Sequence, residues 1–327
     1  MNRTLIAAAT MSVLALLAAS AHADPIPLDP INLTVFRVTG VRYELTGRDL
    51  NGTALNGKVL DGHGVVGVSF DGVQRNGATM QSVWLDESTF RGVTQSGKEV
   101  HGQKFVGAVF TATLDDGDSL ELRVDAMERG TQKWDKDVMR YTVSYETQNG
   151  RAPLCGVDAS NEPIKAIALD GRWDLRQGVA GGGSHIDDAW AFTFACEEYA
   201  IAKCVNMGYK PWQQAKICTK GQGCTHTTLA DLHQACTRML RADYCGDGVS
   251  HTVDGTEISA FDVFGIRTDS DSWLPEAEWG PDGARCLVRD RIPSAEAPSC
   301  LDSLHQDSCG SPSHLSGTSL LISEIAP

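Results

Sequence analysis

All ten cysteines of this 327-residue chain fall between Cys155 and Cys309, and no other feature limits its fold as much. An even number of cysteines, absent from one half and dense in the other, predicts a disulfide framework in an oxidising compartment. The set is Cys155, Cys196, Cys204, Cys218, Cys224, Cys236, Cys245, Cys286, Cys300 and Cys309. Bridges confined to one half would staple that half alone, so the asymmetry predicts a boundary near residue 150. Cys218 and Cys224 flank "TKGQG" and are expected to pair across a surface loop. No two cysteines stand with the two intervening residues typical of structural zinc sites, so oxidation is expected rather than a metal.

The N-terminus supplies the compartment. Arg3 precedes an apolar run from Leu5 to Ala19, and Ala21-His22-Ala23 has the small-x-small form of a cleavage site. Residues 1–23 therefore read as a signal peptide. After Asp24 nothing approaches the ~18 apolar residues of a membrane span. The expectation is an exported, soluble protein, periplasmic or extracellular. A net charge of −14 argues against nucleic acid or an anionic membrane surface as the main partner.

Between residues 50 and 110 the chain carries a five-residue register. Leu50, Leu55, Leu60, Val65, Phe70, Met80, Leu85, Phe90, Val100, Phe105 and Phe110 fill one slot, broken by Arg75 and Gln95. From 52 to 107 glycine fills the slot two residues later, except where Ser82 and Glu87 stand. Neither a helix nor a strand has this period. A short fixed repeat with one apolar residue per unit suits a solenoid, in which each coil buries its side chain against the next. The pattern resembles the pentapeptide-repeat proteins, which wind a four-sided right-handed β-helix, although here Asp or Asn more often follows the central residue than precedes it. A small barrel of short strands is the other arrangement that buries the same positions.

Beyond the register, Leu120, Leu122 and Val124 alternate with polar residues, and Met139, Tyr141, Val143 and Tyr145 do the same. These predict two antiparallel strands that cap or extend the repeat. Two amphipathic helices follow. One is expected over 195–208, with Cys196, Tyr199, Ala200, Cys204 and Val205 on one face. The other carries Leu229, Leu232, Cys236 and Leu240 along a stripe.

The second helix runs into Ala242-Asp243-Tyr244-Cys245, which resembles the signature of the bacterial ADYC domain. Further blocks in the same order strengthen the likeness: "PLCG" (153–156), "GRWD" (171–174), "GGGSH" (181–185), "FAC" (194–196), "HTVDGT" (251–256) and "AEWGPDGARC" (277–286). The resemblance spans most of residues 150–310. It implies an exported protein with a common framework and no assigned activity.

Candidate chemistry is sparse. Asp243, Asp247 and Asp254, with Gly248, match part of a calcium-loop spacing, although Cys245 stands where an oxygen ligand belongs. His185 and His251 sit in loop-like stretches, and Asp254, Glu257, Glu276 and Glu278 could partner a histidine as general base. Ser184 lacks the context of a nucleophile elbow. Trp173, Trp190, Trp212, Trp273 and Trp279 lie in the second half and, if exposed beside acids, would suit carbohydrate. No cofactor motif is present. The fold expected is α+β: signal peptide 1–23, a β-rich solenoid or small barrel over 24–150, and a disulfide-rich α+β domain over 151–327. The function expected is a structural or surface-binding module with a carbohydrate or cell-surface partner, and a hydrolase using a His–carboxylate pair is the alternative.

Overall fold

The computed structural model describes residues 35–37, 63–219, 223–252, 256–269, 272–292, 297–306, 308–316 and 318–327. The signal peptide, the first units of the register (50–62) and Asp254 lie outside the described residues.

Six antiparallel strands close into a barrel. They are β1 (Val65–Ser69), β2 (Val109–Leu114), β3 (Ser119–Arg129), β4 (Met139–Thr147), β5 (Ala166–Asp170) and β6 (Ala191–Cys196). Each pairs with the next, and β6 returns to β1 through Phe192 opposite Val68, so the ring has no free edge. The barrel takes strands from both sides of residue 150. A ribbon of short strands (74–75, 78–86, 89–94 and 99–101) continues the sheet from β2, with Gln74 opposite Val109.

This architecture corrects the expected α+β fold with a solenoid N-terminus: strand accounts for 42% and helix for 12%, and the core unit is a closed barrel. The buried slot of the register is real, since Val65, Phe70, Met80, Phe90, Val100, Phe105 and Phe110 are all buried. Its period arises differently. Gly72, Gly77, Gly97 and Gly107 stand in turns at positive φ, so the five-residue spacing records short strands and the corners between them. Gly92 sits within a strand, where an added Cβ would meet the Ser82 carbonyl oxygen at 2.6 Å. The alternation after residue 119 builds barrel walls rather than a cap on a repeat.

The interior is filled by aromatic rings, as a six-stranded barrel requires. Phe90, delivered by the ribbon, lies 4.8 Å from Phe110, 5.0 Å from both Tyr141 and Phe192, and 5.8 Å from Phe194, centroid to centroid. On β5 the small Ala166 and Ala168 face this cluster, leaving room for the rings, while Ile167 and Leu169 face outward into a second apolar layer.

That outer layer is covered by α1 (Ala200–Asn206), which contributes Ile201, Ala202 and Val205. The helix is shorter than its periodicity predicts because Ala195 and Cys196 are taken up in β6, opposite Ile167 and Ala166. Next comes α2 (Ala230–Arg241), which packs with the second sheet: β7 (Glu257–Asp262), β8 (Leu274–Gly280), β9 (Gly283–Leu287) and β10 (Leu321–Ile325). The order is 35–37, β7, β10, β8, β9. Leu232, Met239, Leu240, Ile258, Trp279 and Leu321 form its core.

Four disulfides are described: Cys155–Cys196, Cys204–Cys236, Cys245–Cys300 and Cys286–Cys309. Cys204–Cys236 ties α1 to α2 and thereby the barrel's outer layer to the second sheet. Cys218 and Cys224 stand opposite each other in the register of a hairpin (214–219 and 223–228), with their side chains outside the described residues. No helix among the described residues is long and apolar enough to cross a membrane.

Because Phe90 sits at the centre of the ring cluster, Phe90→Ala is expected to lower stability by about 3–5 kcal/mol in urea unfolding. A loss below about 1 kcal/mol would place the residue outside the barrel core.

Candidate functional site

Two knots of buried polar groups surround α2, and both are made from the sequence blocks singled out above. The first is at its C-terminus. Ala242 ends the helix in the left-handed conformation (φ 49°), which turns the chain so that its amide donates to the Met239 carbonyl. Asp243 then turns back beneath the helix. Its carboxylate pairs with Arg238, both side chains about 1% exposed, and accepts the amides of Asp247 and Gly248 at 3.0 Å each. Burial raises the Asp243 carboxyl above the ordinary aspartate range, against the pull of Arg238.

Tyr244 is equally committed. Its hydroxyl donates to Glu276 Oε1 at 2.7 Å and accepts the Arg291 amide at 3.0 Å. Burial pushes the phenol well upward, which keeps it a donor. Arg291 meets Glu276 with two bonds at 3.0 Å and covers the last carbonyls of α2, Met239 and Leu240. Cys245 closes the signature through its bridge to Cys300. Thus all four signature residues hold a helix end in place. Within the described part of the calcium-like spacing, Asp243 pairs with Arg238 and Asp247 accepts the Val249 amide.

The second knot lies on the flank of α2. Gln234 Oε1 accepts from Trp173 Nε1 at 3.0 Å and from the His185 amide at 3.2 Å, while its Nε2 donates to the Gly183 carbonyl. One buried amide therefore joins "GRWD" and "GGGSH" to the helix. Arg238 reinforces the join by donating to the Gly182 carbonyl and to Ser184 Oγ. Ser184 is thus engaged by a guanidinium, not by a base. His185 places Nε2 3.0 Å from the Asp170 carbonyl and Nδ1 3.5 Å from Asp187, and its ring meets the Trp173 edge at 4.7 Å.

Between this knot and the barrel lies a cavity of about 220 Å³. Its walls include Leu169, Trp173, Pro211, Trp212, His185 and His233, with Glu87 and Asp170 also in the lining. Trp212 is fixed by a third polar centre: Asp137 accepts from Trp212 Nε1 at 3.2 Å and Gln213 Nε2 at 3.1 Å, and pairs with buried Lys210. His233 is fully enclosed and its Nε2 donates to the Ile201 carbonyl at 3.0 Å. Burial pushes its pKa down to about 4, so the ring is neutral at physiological pH.

Glu87 reaches the cavity from the ribbon's tip. It occupies a glycine slot of the register and takes the left-handed backbone glycine would adopt there, at φ 58°. For a glutamate this costs about 1–2 kcal/mol. The turn is locked from behind: Ser88 Oγ donates to the Asp137 carbonyl and accepts the Met139 amide, and Tyr141 donates to the Ser88 carbonyl. Partial enclosure, then the charges of Asp137 and Asp86, raise the Glu87 carboxyl. Enclosure likewise raises Asp170, against the pull of His185.

Of the residues the sequence suggests, His185 and Trp173 line the cavity, joined by Trp212. His251 lies at the far end of α2, its amide on the Arg241 carbonyl and its ring 5.9 Å from Tyr244. Glu276 and Glu278 are buried structural acids, Glu278 holding the Gly310 amide, Ser319 and His314. Trp279 is buried, Trp273 is half-buried and Trp190 is 71% exposed, so the five tryptophans form no single row. Glu87, Asp170 and His233 also line the cavity, and no sequence motif points to them as site residues. Only Glu87 carried a signal, the break in the glycine slot.

The ADYC domain family matches residues 102–293, which covers five of the six barrel strands, β2 to β6, together with both helices and all of the cavity lining except Glu87. The chain belongs to this family. No curated protein and no solved structure was found to match it. In this chain Ala242, Asp243, Tyr244 and Cys245 clasp the C-terminal end of α2, while the cavity lies against its first turn, at Ala230 and His233.

His233 gives the site a pH signature. The unfolded chain takes up a proton near pH 6.5, which the folded chain refuses until about pH 4, so stability falls as pH drops through that window. The expected contribution is about 2–3 kcal/mol at pH 4.5 relative to pH 7.5. The stability difference between wild type and His233→Gln should change by this amount, and a constant difference across the range would contradict it.

Proposed function

We propose that the protein is an exported ligand-binding module and that the cavity between the barrel and α2 receives the apolar part of a small molecule. The observation that carries this is that both indoles of the cavity are pinned. Trp173 is tied to buried Gln234 and Trp212 to Asp137, so the apolar walls are set before any ligand arrives. A preformed site loses little freedom on binding. Binding fits the chemistry better than hydrolysis does, because Ser184 is held by Arg238 and both nitrogens of His185 face oxygens of its own neighbourhood. The N-terminal signal and the disulfides support an exported location.

The test is a titration of the full chain with small aromatic probes such as p-cresol or indole, followed by the indole N–H signals in NMR. The signals of Trp173 and Trp212 should move saturably while that of Trp190 stays. Ala230→Trp, which fills the cavity from the start of α2, should abolish the shifts and preserve the fold. Unmoved Trp173 and Trp212 signals, or shifts that survive the cavity-filling substitution, would count against a binding role for this cavity.

A further inference from the structure

We infer that the ligand is an organic cation, an ammonium group carried on a compact apolar body. This rests on the binding role proposed above and names its chemical class.

The charges around the cavity are one-sided. Glu87 and Asp170 are both in its lining, and among the described residues neither carboxyl makes an ion pair or a side-chain hydrogen bond. No lysine or arginine lines the cavity. The cations close by stand outside the lining: Lys210 is buried against Asp137 and the Trp134 carbonyl, Arg172 pairs with Asp188 at 3.1 Å, and Arg129, which acts on Glu87 through its charge, is exposed. His233 stays neutral in its enclosure. A cavity so arranged repels anions and leaves two negative groups to be matched by whatever enters.

The walls complete the match. Indole faces attract ammonium groups through the ring quadrupole, most strongly when water is excluded, and two indoles stand here with carboxyls in the same lining. A neutral apolar ligand would make no use of the acids. The overall charge of −14 would also concentrate cations near the molecule.

Glu87 supplies an independent indication. Glycine fills most neighbouring positions of the register slot, and the backbone here adopts the conformation that glycine tolerates without strain, yet a glutamate occupies it and lines the cavity. Strain kept at a side chain that faces a cavity marks a residue retained for what it contacts. The Ser88 and Tyr141 hydrogen bonds hold that backbone in place and aim the carboxyl.

The experiment compares benzyltrimethylammonium with its neutral isostere neopentylbenzene on the full chain, using the Trp212 indole signal and calorimetry. The cation should bind on the order of tenfold more tightly. The double substitution Glu87→Gln and Asp170→Asn should remove that preference and leave the isostere's affinity unchanged. Raising salt should weaken the cation alone. Glu87→Gly should raise the melting temperature while lowering cation affinity, a combination that a purely structural role would not produce. Equal affinities for the two probes, or a cation affinity indifferent to the double substitution, would overturn the cation assignment and leave the cavity a binding site. If neither probe moves the Trp212 signal, the binding role fails as well, so the two failures are told apart.

Discussion

Arg238 donates from the inner face of α2 to the Asp243 carboxylate, the Gly182 carbonyl and Ser184 Oγ, and the placement of everything around the cavity depends on that guanidinium. It sits where no water can solvate it, so its charge must be met by protein groups. Breaking a buried pair of this kind typically costs about 3–5 kcal/mol, because the remaining charge is stranded. The interaction therefore matters less for net stability than for arrangement. It leaves one position for the end of the helix and one for the glycine loop. Gly183 makes the approach feasible, since a Cβ there would fall 2.6 Å from the guanidinium. With the loop fixed, Gln234 can hold Trp173 and the His185 backbone on the cavity side of the same helix.

The barrel provides the opposing wall by a different principle. Its closed hydrogen-bonded ring and packed rings form a rigid body, and only the outer faces of β5 and the ribbon tip reach the site. Leu169 and Asp170 arrive there as the end of β5, after Ala166 and Ala168 have turned their small side chains to the aromatic interior. Glu87 arrives through a turn locked by Ser88 and Tyr141. The cavity thus forms where an apolar outer layer meets two polar clasps, which explains its mixture of indole walls and carboxyls.

Much of this can be traced to the sequence, unevenly. The buried positions of the register and the alternation in β3 and β4 were legible because burial leaves a local pattern. Whether Phe90 would meet the next coil of a solenoid or Phe192 across a barrel was not legible, since those partners lie 102 positions apart in the chain. The helices were visible as stripes, but the start of α1 was obscured where Cys196 serves as a strand residue. Trp173 and His185 stand out in the sequence by residue type and loop context. Their convergence through Gln234 was hidden, because a glutamine in a helix carries no signal of what it will hold. His233 looked like part of an amphipathic face. The break in the glycine slot at Glu87 was visible and lacked a reason until the backbone angle supplied one.

The central claim is that the signature at the end of α2 is a clasp that positions the cavity wall. Hydrogen–deuterium exchange of Asp243→Asn against wild type tests it directly. Protection should fall at 181–185 and 246–248, both held by the Arg238–Asp243 pair, while β1 and β2 keep theirs. Unchanged protection at 181–185, or a loss spread evenly over barrel and helices alike, would contradict it.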